Sequence, residues 1–191
     1  MGGVFYNSSV LEVENCEFYG NTAGDGAVLY QNSKGSATFT NCKFVGNTAT
    51  TNGGVFAIEG QDSETPSVIF RGNNTFQDNK ASAGGGAIFV YAAENPTVIF
   101  EEGSTNTFIN NTVAGKKNVI HNELNIIVKS GATLSLDGGI TSTNTGTEEE
   151  PVYTGTITGE GSLEFTNTET KVQSNIGDKV KAVASAELND K

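Results

Sequence analysis

The side chains of this chain that could do chemistry are few and scattered. Among 191 residues there is one histidine, His121, one arginine, Arg71, and two cysteines, Cys16 and Cys42. Acidic residues number 22, against 11 lysines and arginines. They cluster only as Glu12 with Glu14, Glu101-Glu102 and Glu148-Glu149-Glu150. Cleavage of a polysaccharide is the reaction such groups would suit. A hydrolase needs carboxylates converging on one strand face, about 5 to 10 Å apart. A lyase needs an arginine or lysine base, with carboxylates holding calcium against an acidic sugar. Neither set forms. Glu12 and Glu14 alternate with Leu11 and Val13 and so look outward. The other acidic runs separate apolar segments and read as solvated charge. Asp25, Asp78 and Asp137 read as turn formers, and His121, after an apolar pair, as a surface or half-buried histidine. Gly24-Asp25-Gly26 is too short for a calcium loop. No nucleophile elbow, phosphate loop or metal-spaced His/Cys set occurs. The expectation is a chain with no catalytic residues, no cofactor and no bound metal.

What positions these groups is a repeat. Four Phe-x-x-Asn tetrapeptides start at Phe18, Phe44, Phe76 and Phe108 and end at Asn21, Asn47, Asn79 and Asn111. Each copy is paired with a Gly-rich turn opening an apolar run: Gly2-Gly3-Val4-Phe5, Asp25-Gly26-Ala27-Val28, Gly53-Gly54-Val55-Phe56 and Gly85-Gly86-Ala87-Ile88. The phenylalanines are 26, 32 and 32 residues apart. A nearly fixed step of this size marks a solenoid, whose repeats bury their apolar faces against one another. The composition agrees: 24 glycines for tight corners and 36% hydrophobic residues for a slender core. A net charge of −11 argues against nucleic acid and anionic lipid as partners. No apolar stretch nears the roughly 18 residues of a membrane span, so no membrane insertion is expected. The N-terminus enters mid-repeat without a signal-peptide pattern, which reads as a segment of a longer protein.

Each repeat divides into three short strands, as in Gly86–Tyr91, Pro96–Phe100 and Asn106–Asn110, bounded by turn residues. Three strands per turn predict an all-β, single-stranded parallel β-helix of roughly triangular section. Phe18, Phe44, Phe76 and Phe108 are then expected as a buried stack. Asn21, Asn47, Asn79 and Asn111 should form a file of amides at a corner, bonded rung to rung and tolerant of left-handed backbone. Cys16 and Cys42, each in Asn-Cys-x-Phe, are expected as buried residues in adjacent rungs about 4.8 Å apart. That spacing leaves a disulfide open. The expected organisation is motif-bearing rungs over residues 1–120, plainer rungs over 121–176 with a solvated loop near 145–150, and a capping or frayed end over 177–191.

Phe-x-x-Asn with Gly-Gly-Ala-Ile resembles the repeat of the chlamydial polymorphic outer membrane proteins, and the resemblance covers residues 2 to about 120. Only Gly85-Gly86-Ala87-Ile88 matches the Gly half fully; Asp25-Gly26-Ala27-Val28 lacks the first Gly, and Gly53-Gly54-Val55-Phe56 has Val for Ala. Gly155 to Leu163 resemble generic rungs of an autotransporter passenger. The resemblance implies a right-handed β-helix displayed at the cell surface for adhesion to host cells, with a protein or glycan receptor as partner. The motif residues themselves read as structural, so binding falls to one outer face or to the loops near Gln61–Thr65 and Thr145–Glu150. The alternatives are a structural stalk of a larger surface protein and a carbohydrate-active β-helix. Exposed terminal rungs also allow end-to-end self-association.

Overall fold

The computed structural model describes residues 2–32, 35–59, 67–92, 97–167 and 170–184. Its regular elements are all β-strands, none longer than seven residues. Runs rich in Val, Ile, Thr and Phe, cut by Gly, Asn and Asp, favour short strands with a turn at each end.

Successive turns of the chain lay matching strands side by side in three parallel sheets. The first contains Phe5–Asn7, Leu29–Gln31, Phe56–Ile58, Ile88–Val90, Lys116–Asn122 and Gly139–Thr141. The second stacks Val10–Glu14, Ser36–Thr40, Ser67–Arg71, Thr97–Phe100, Asn125–Val128, Thr156–Gly159 and Asn175–Ile176. The third stacks Glu17–Tyr19, Lys43–Val45, Asn73–Gln77, Thr105–Ile109, Thr133–Leu136, Ser162–Phe165 and Lys181–Ala184. The fold is therefore a β-solenoid, as the repeat predicts. One element was not expected. A file of two-residue strands, Thr22–Ala23, Thr48–Ala49, Lys80–Ala81 and Thr112–Val113, lines the corner between the third and first sheets.

In-register stacking puts like over like in the core. Phe18, Phe44, Phe76 and Phe108 pair in sequence, and the file continues as Leu136 and Phe165. Ring centroids along it lie 5.4, 4.8 and 4.4 Å apart, in stacked geometry. Phe39, Phe70 and Phe100 form a second file from the second sheet. Phe56 presents its edge to Phe39 and Phe44 at 4.9 and 5.0 Å. Such pairs contribute about 0.5–1.5 kcal/mol each beyond the area they bury. Past Phe108 the core turns aliphatic apart from Phe165, with Ile120, Ile126, Val128, Leu134, Leu136, Ile140, Ile157 and Leu163 all buried.

Two expectations need correction. Cys42 is buried but Cys16 is exposed, because it lies in the first rung with no described strand beyond it, and both thiols are free. Within the segment 177–191, Lys181–Ala184 pairs in parallel with Ser162–Phe165. Asp25-Gly26-Ala27-Val28 does not lack the first glycine. Leu29 pairs with Phe56, so Gly26 stands over Gly53 and Ala27 over Gly54. The loop at 61–65 and residues 185–191 lie outside the described residues. The loop at 145–150 is exposed and closed by the Thr145 amide donating to the Val152 carbonyl at 2.8 Å.

Candidate functional site

The repeated asparagines form a continuous amide ladder. Asn47 Oδ1 accepts from both the backbone N–H and Nδ2 of Asn21, at 3.0 and 2.9 Å. Asn79 Oδ1 accepts the same pair from Asn47, at 3.0 and 2.9 Å, and Asn111 Oδ1 from Asn79, at 3.2 and 2.8 Å. The remaining hydrogens of Asn47, Asn79 and Asn111 reach the carbonyls of Phe18, Phe44 and Phe76. Asn47, Asn79 and Asn111 are buried and Asn21 half-buried. The amide oxygens of Asn47, Asn79 and Asn111 are thus each satisfied by the same residue type one rung away, which fixes the register.

The left-handed position is not the asparagine itself, as expected, but the residue before it. Gly20, Gly46, Asp78 and Asn110 carry φ of 62°, 67°, 55° and 53°. A second left-handed file opens the Gly-rich turn at Gly26, Gly53 and Gly85. At Gly85 a Cβ would fall 2.0 Å from the Ile88 carbonyl oxygen, so a close backbone approach adds to the φ requirement. Gly54 and Gly86 are buried beside it, as are Ala87 and Ile88. The motif residues, Gly53 and Gly85 among them, therefore build corners and core.

Several groups escaped the sequence reading. Asn74 and Asn106 stand in register with Cys42, and Asn74 Nδ2 donates to Asn106 Oδ1 at 3.1 Å in a second buried ladder. Burial raises the Cys42 thiol above its usual range. Glu123 is buried, with one carboxylate oxygen contacting His121 Nε2 and accepting from Thr143 Oγ1 at 2.7 Å. The other accepts from Thr154 Oγ1 at 2.6 Å. Burial opposes ionisation of this carboxyl, but the hydrogen bonds from Thr154, Thr143 and His121 outweigh it and hold its pKa below the ordinary glutamate value.

The outward positions differ from rung to rung. Along one file of the first sheet they are Tyr6, Tyr30, Ala57, Phe89, His121 and Thr141. Tyr6 stacks on Tyr30 at 5.6 Å and Phe89 on His121 at 4.6 Å. Between these pairs Ala57 is wholly buried, and the Tyr91 hydroxyl, two residues past Phe89 on the same face, donates to Asp25 Oδ1 at 3.2 Å. Burial, then the Glu59 carboxylate hydrogen-bonded to it, push the Tyr30 hydroxyl well above its ordinary pKa.

A groove of about 1010 Å³ opens where the repeat breaks. The corner strand Thr112–Val113 turns back through Ala114 and Gly115 to pair antiparallel with Lys116 and Lys117. From Phe108 to the first-sheet residue Ile120 takes twelve residues, but from Leu136, one rung on, to Ile140 takes only four. The shortened corner leaves a recess beside the hairpin. Lys116, Lys117 and Lys171 line it, with Asn118, Gly138 and Gly139. Lys117 Nζ is held by both oxygens of Asp137 at 2.7 Å. Asn118 Nδ2 donates to Thr141 Oγ1 at 3.1 Å, while its Oδ1 is buried without a partner.

Fold and surface together define a non-globular repeat scaffold whose interior is spent on self-stacking and whose outside is free to vary. Residues 75–91, containing Phe76 to Asn79 and Gly85 to Ile88, match the family model of the Chlamydia polymorphic membrane protein repeat. No curated protein and no solved structure matches the chain. The repeat match and the β-solenoid fit a passenger segment of a surface autotransporter-like protein.

Proposed function

We propose that this chain is a displayed, non-enzymatic passenger segment that attaches its cell to a host surface. The observation that supports this most is the division of labour between faces. Residues that repeat (Phe76, Asn79, Gly85) are buried and hydrogen-bonded or packed rung to rung. Residues that do not repeat (Tyr30, Phe89, His121, and the groove lysines) lie on the outside. A fold held by its interior can change its exterior without loss of register, which is what recognition of a foreign surface requires. The match to a chlamydial membrane-protein repeat supports a surface setting. The test is binding of the purified, fluorescently labelled chain to host epithelial cells. Saturable binding in the micromolar range is expected. Binding that never saturates, or that an unrelated acidic β-solenoid reproduces, removes the proposal and leaves a spacer role.

A further inference from the structure

We propose that Cys16 and Cys42 form a redox site, which a small-molecule disulfide closes into a covalent clamp between the first and second rungs. The clamp does not rest on the attachment reading.

The two residues occupy equivalent corners. Asn15 and Asn41, which precede them, both carry φ of 53°. Before the corners Glu14 pairs with Thr40, and after them Glu17 pairs with Lys43, whose amide donates to the Cys16 carbonyl at 2.9 Å. Cys16 therefore stands directly over Cys42. Neighbouring strands run about 4.8 Å apart, inside the roughly 4.4–6.8 Å that separates the Cα atoms of a disulfide. The thiols also share an orientation. Cys16 Sγ donates to the Glu14 carbonyl at 3.2 Å and Cys42 Sγ to the Thr40 carbonyl at 3.3 Å. Cys42 Sγ lies 3.7 Å from the Val13 carbonyl as well, so it already reaches the first rung. Further along the same file amides tie the rungs. Asn74 Oδ1 accepts from the Cys42 backbone N–H at 2.9 Å, and Asn74 Nδ2 donates to Asn106 Oδ1. A thiol is a weak donor and a weak acceptor, and the first rung has a described neighbour on one side only. A covalent bond is the strong tie this pair can make there.

Exposure divides the roles. Cys16 is exposed and meets the oxidant; Cys42 is buried, and burial raises its thiol. The Cys16 thiolate attacks one sulfur of glutathione disulfide and expels a glutathione thiolate. The Cys42 thiolate then attacks the Cys16 sulfur of that mixed disulfide and expels the second. The two cysteine protons pass through water to the two glutathione thiolates, so two cysteines are oxidised and one disulfide is reduced.

The test is incubation of the whole chain with glutathione disulfide, followed by intact mass and peptide mapping without reductant. The expected product is a monomer lighter by two hydrogens, with Cys16 linked to Cys42. Cys42→Ala should stop at a single glutathione on Cys16. Cys16→Ser should stay unmodified and keep the parent circular dichroism spectrum. Closing the loop between the cysteines should slow amide hydrogen exchange over residues 10–19 by about tenfold or more, and dithiothreitol should reverse it. Cys16→Ser carried through the same oxidation should show no slowing. A glutathione that stays on Cys16 in the parent chain, a disulfide between two chains, or thiols that survive oxidation would overturn the proposal. So would a closed link that leaves exchange of the first rung unchanged, since the bond would then clamp nothing.

Discussion

The two ends of this solenoid are held together differently. Up to about residue 113 each rung repeats its neighbour's chemistry: phenylalanine on phenylalanine, asparagine amide on asparagine amide. Beyond it the core is aliphatic apart from Phe165, the asparagine file has stopped, and side chains satisfy polar groups one at a time, as Asn122 Nδ2 does with the Thr156 carbonyl. The comparison teaches how a fold frees its surface. A ladder carries register from rung to rung on its own, so the corner beside it can keep its long excursion and its short strands. Where the ladder ends, the corner shrinks from twelve residues to four, and the groove lies at that junction.

The largest expected effects test whether the aromatic file is the stronger core. Phe76→Ala removes a ring stacked on both sides, at 4.8 and 4.4 Å, and should cost about 4 kcal/mol. Leu136→Ala, the same position two rungs on, should cost about 3 kcal/mol. Urea unfolding of both variants checks the order. A Leu136 loss exceeding that of Phe76 would reverse the comparison.

The amide ladder offers a gradient inside one region. Asn79→Ala strands acceptors and donors on Asn47, Asn111 and the Phe44 carbonyl, all buried, at about 3 kcal/mol. Asn21→Ala removes two bonds at a half-exposed end and should cost about 1 kcal/mol. Equal losses would show that the ladder is not cooperative.

Corner conformation should matter less, and selectively. Gly85→Ala forces a Cβ against the Ile88 carbonyl at positive φ, at about 2 kcal/mol. Gly46→Asn should fall within about 0.5 kcal/mol of the parent protein, since nothing crowds that Cβ and Asn110 adopts the same backbone. Thermal melts of the pair distinguish crowding from φ alone.

Much of this was legible in the sequence, for a physical reason. Stacked rungs place identical residues in contact, so the spacing of Phe18, Phe44, Phe76 and Phe108 shows the packing directly. Legibility failed where chemically unlike residues share a file, as with Cys42 above Asn74. The left-handed corner was assigned one residue late because Gly, Asp and Asn can all fill it, and Asn follows in every copy. The groove could not be seen, since Lys116 and Lys171 line one recess beside the short corner between Leu136 and Ile140. Glu123 was missed for a like reason: Thr143 and Thr154, which solvate it, lie 20 and 31 residues on.

That carboxylate supplies the smallest effect, and it bears on the aliphatic end alone. Glu123 titrates lower in the fold than its ordinary 4.5, because the hydroxyls of Thr154 and Thr143 and the His121 ring prefer the anion. The unfolded chain therefore binds the proton more readily than the fold does. Stability from this group is complete above the ordinary value and drains away as the pH falls through the depressed one. Glu123→Gln should lower stability at neutral pH, where the anion is lost to Thr143 and Thr154, and flatten the acid side of the urea midpoint-against-pH curve. The Phe–Asn rungs have no buried carboxylate in their ladders, so Asn79→Ala should shift that curve down without changing its shape. A change of shape in the asparagine variant, or none in the glutamine one, would mean that the two ends are coupled rather than separately held.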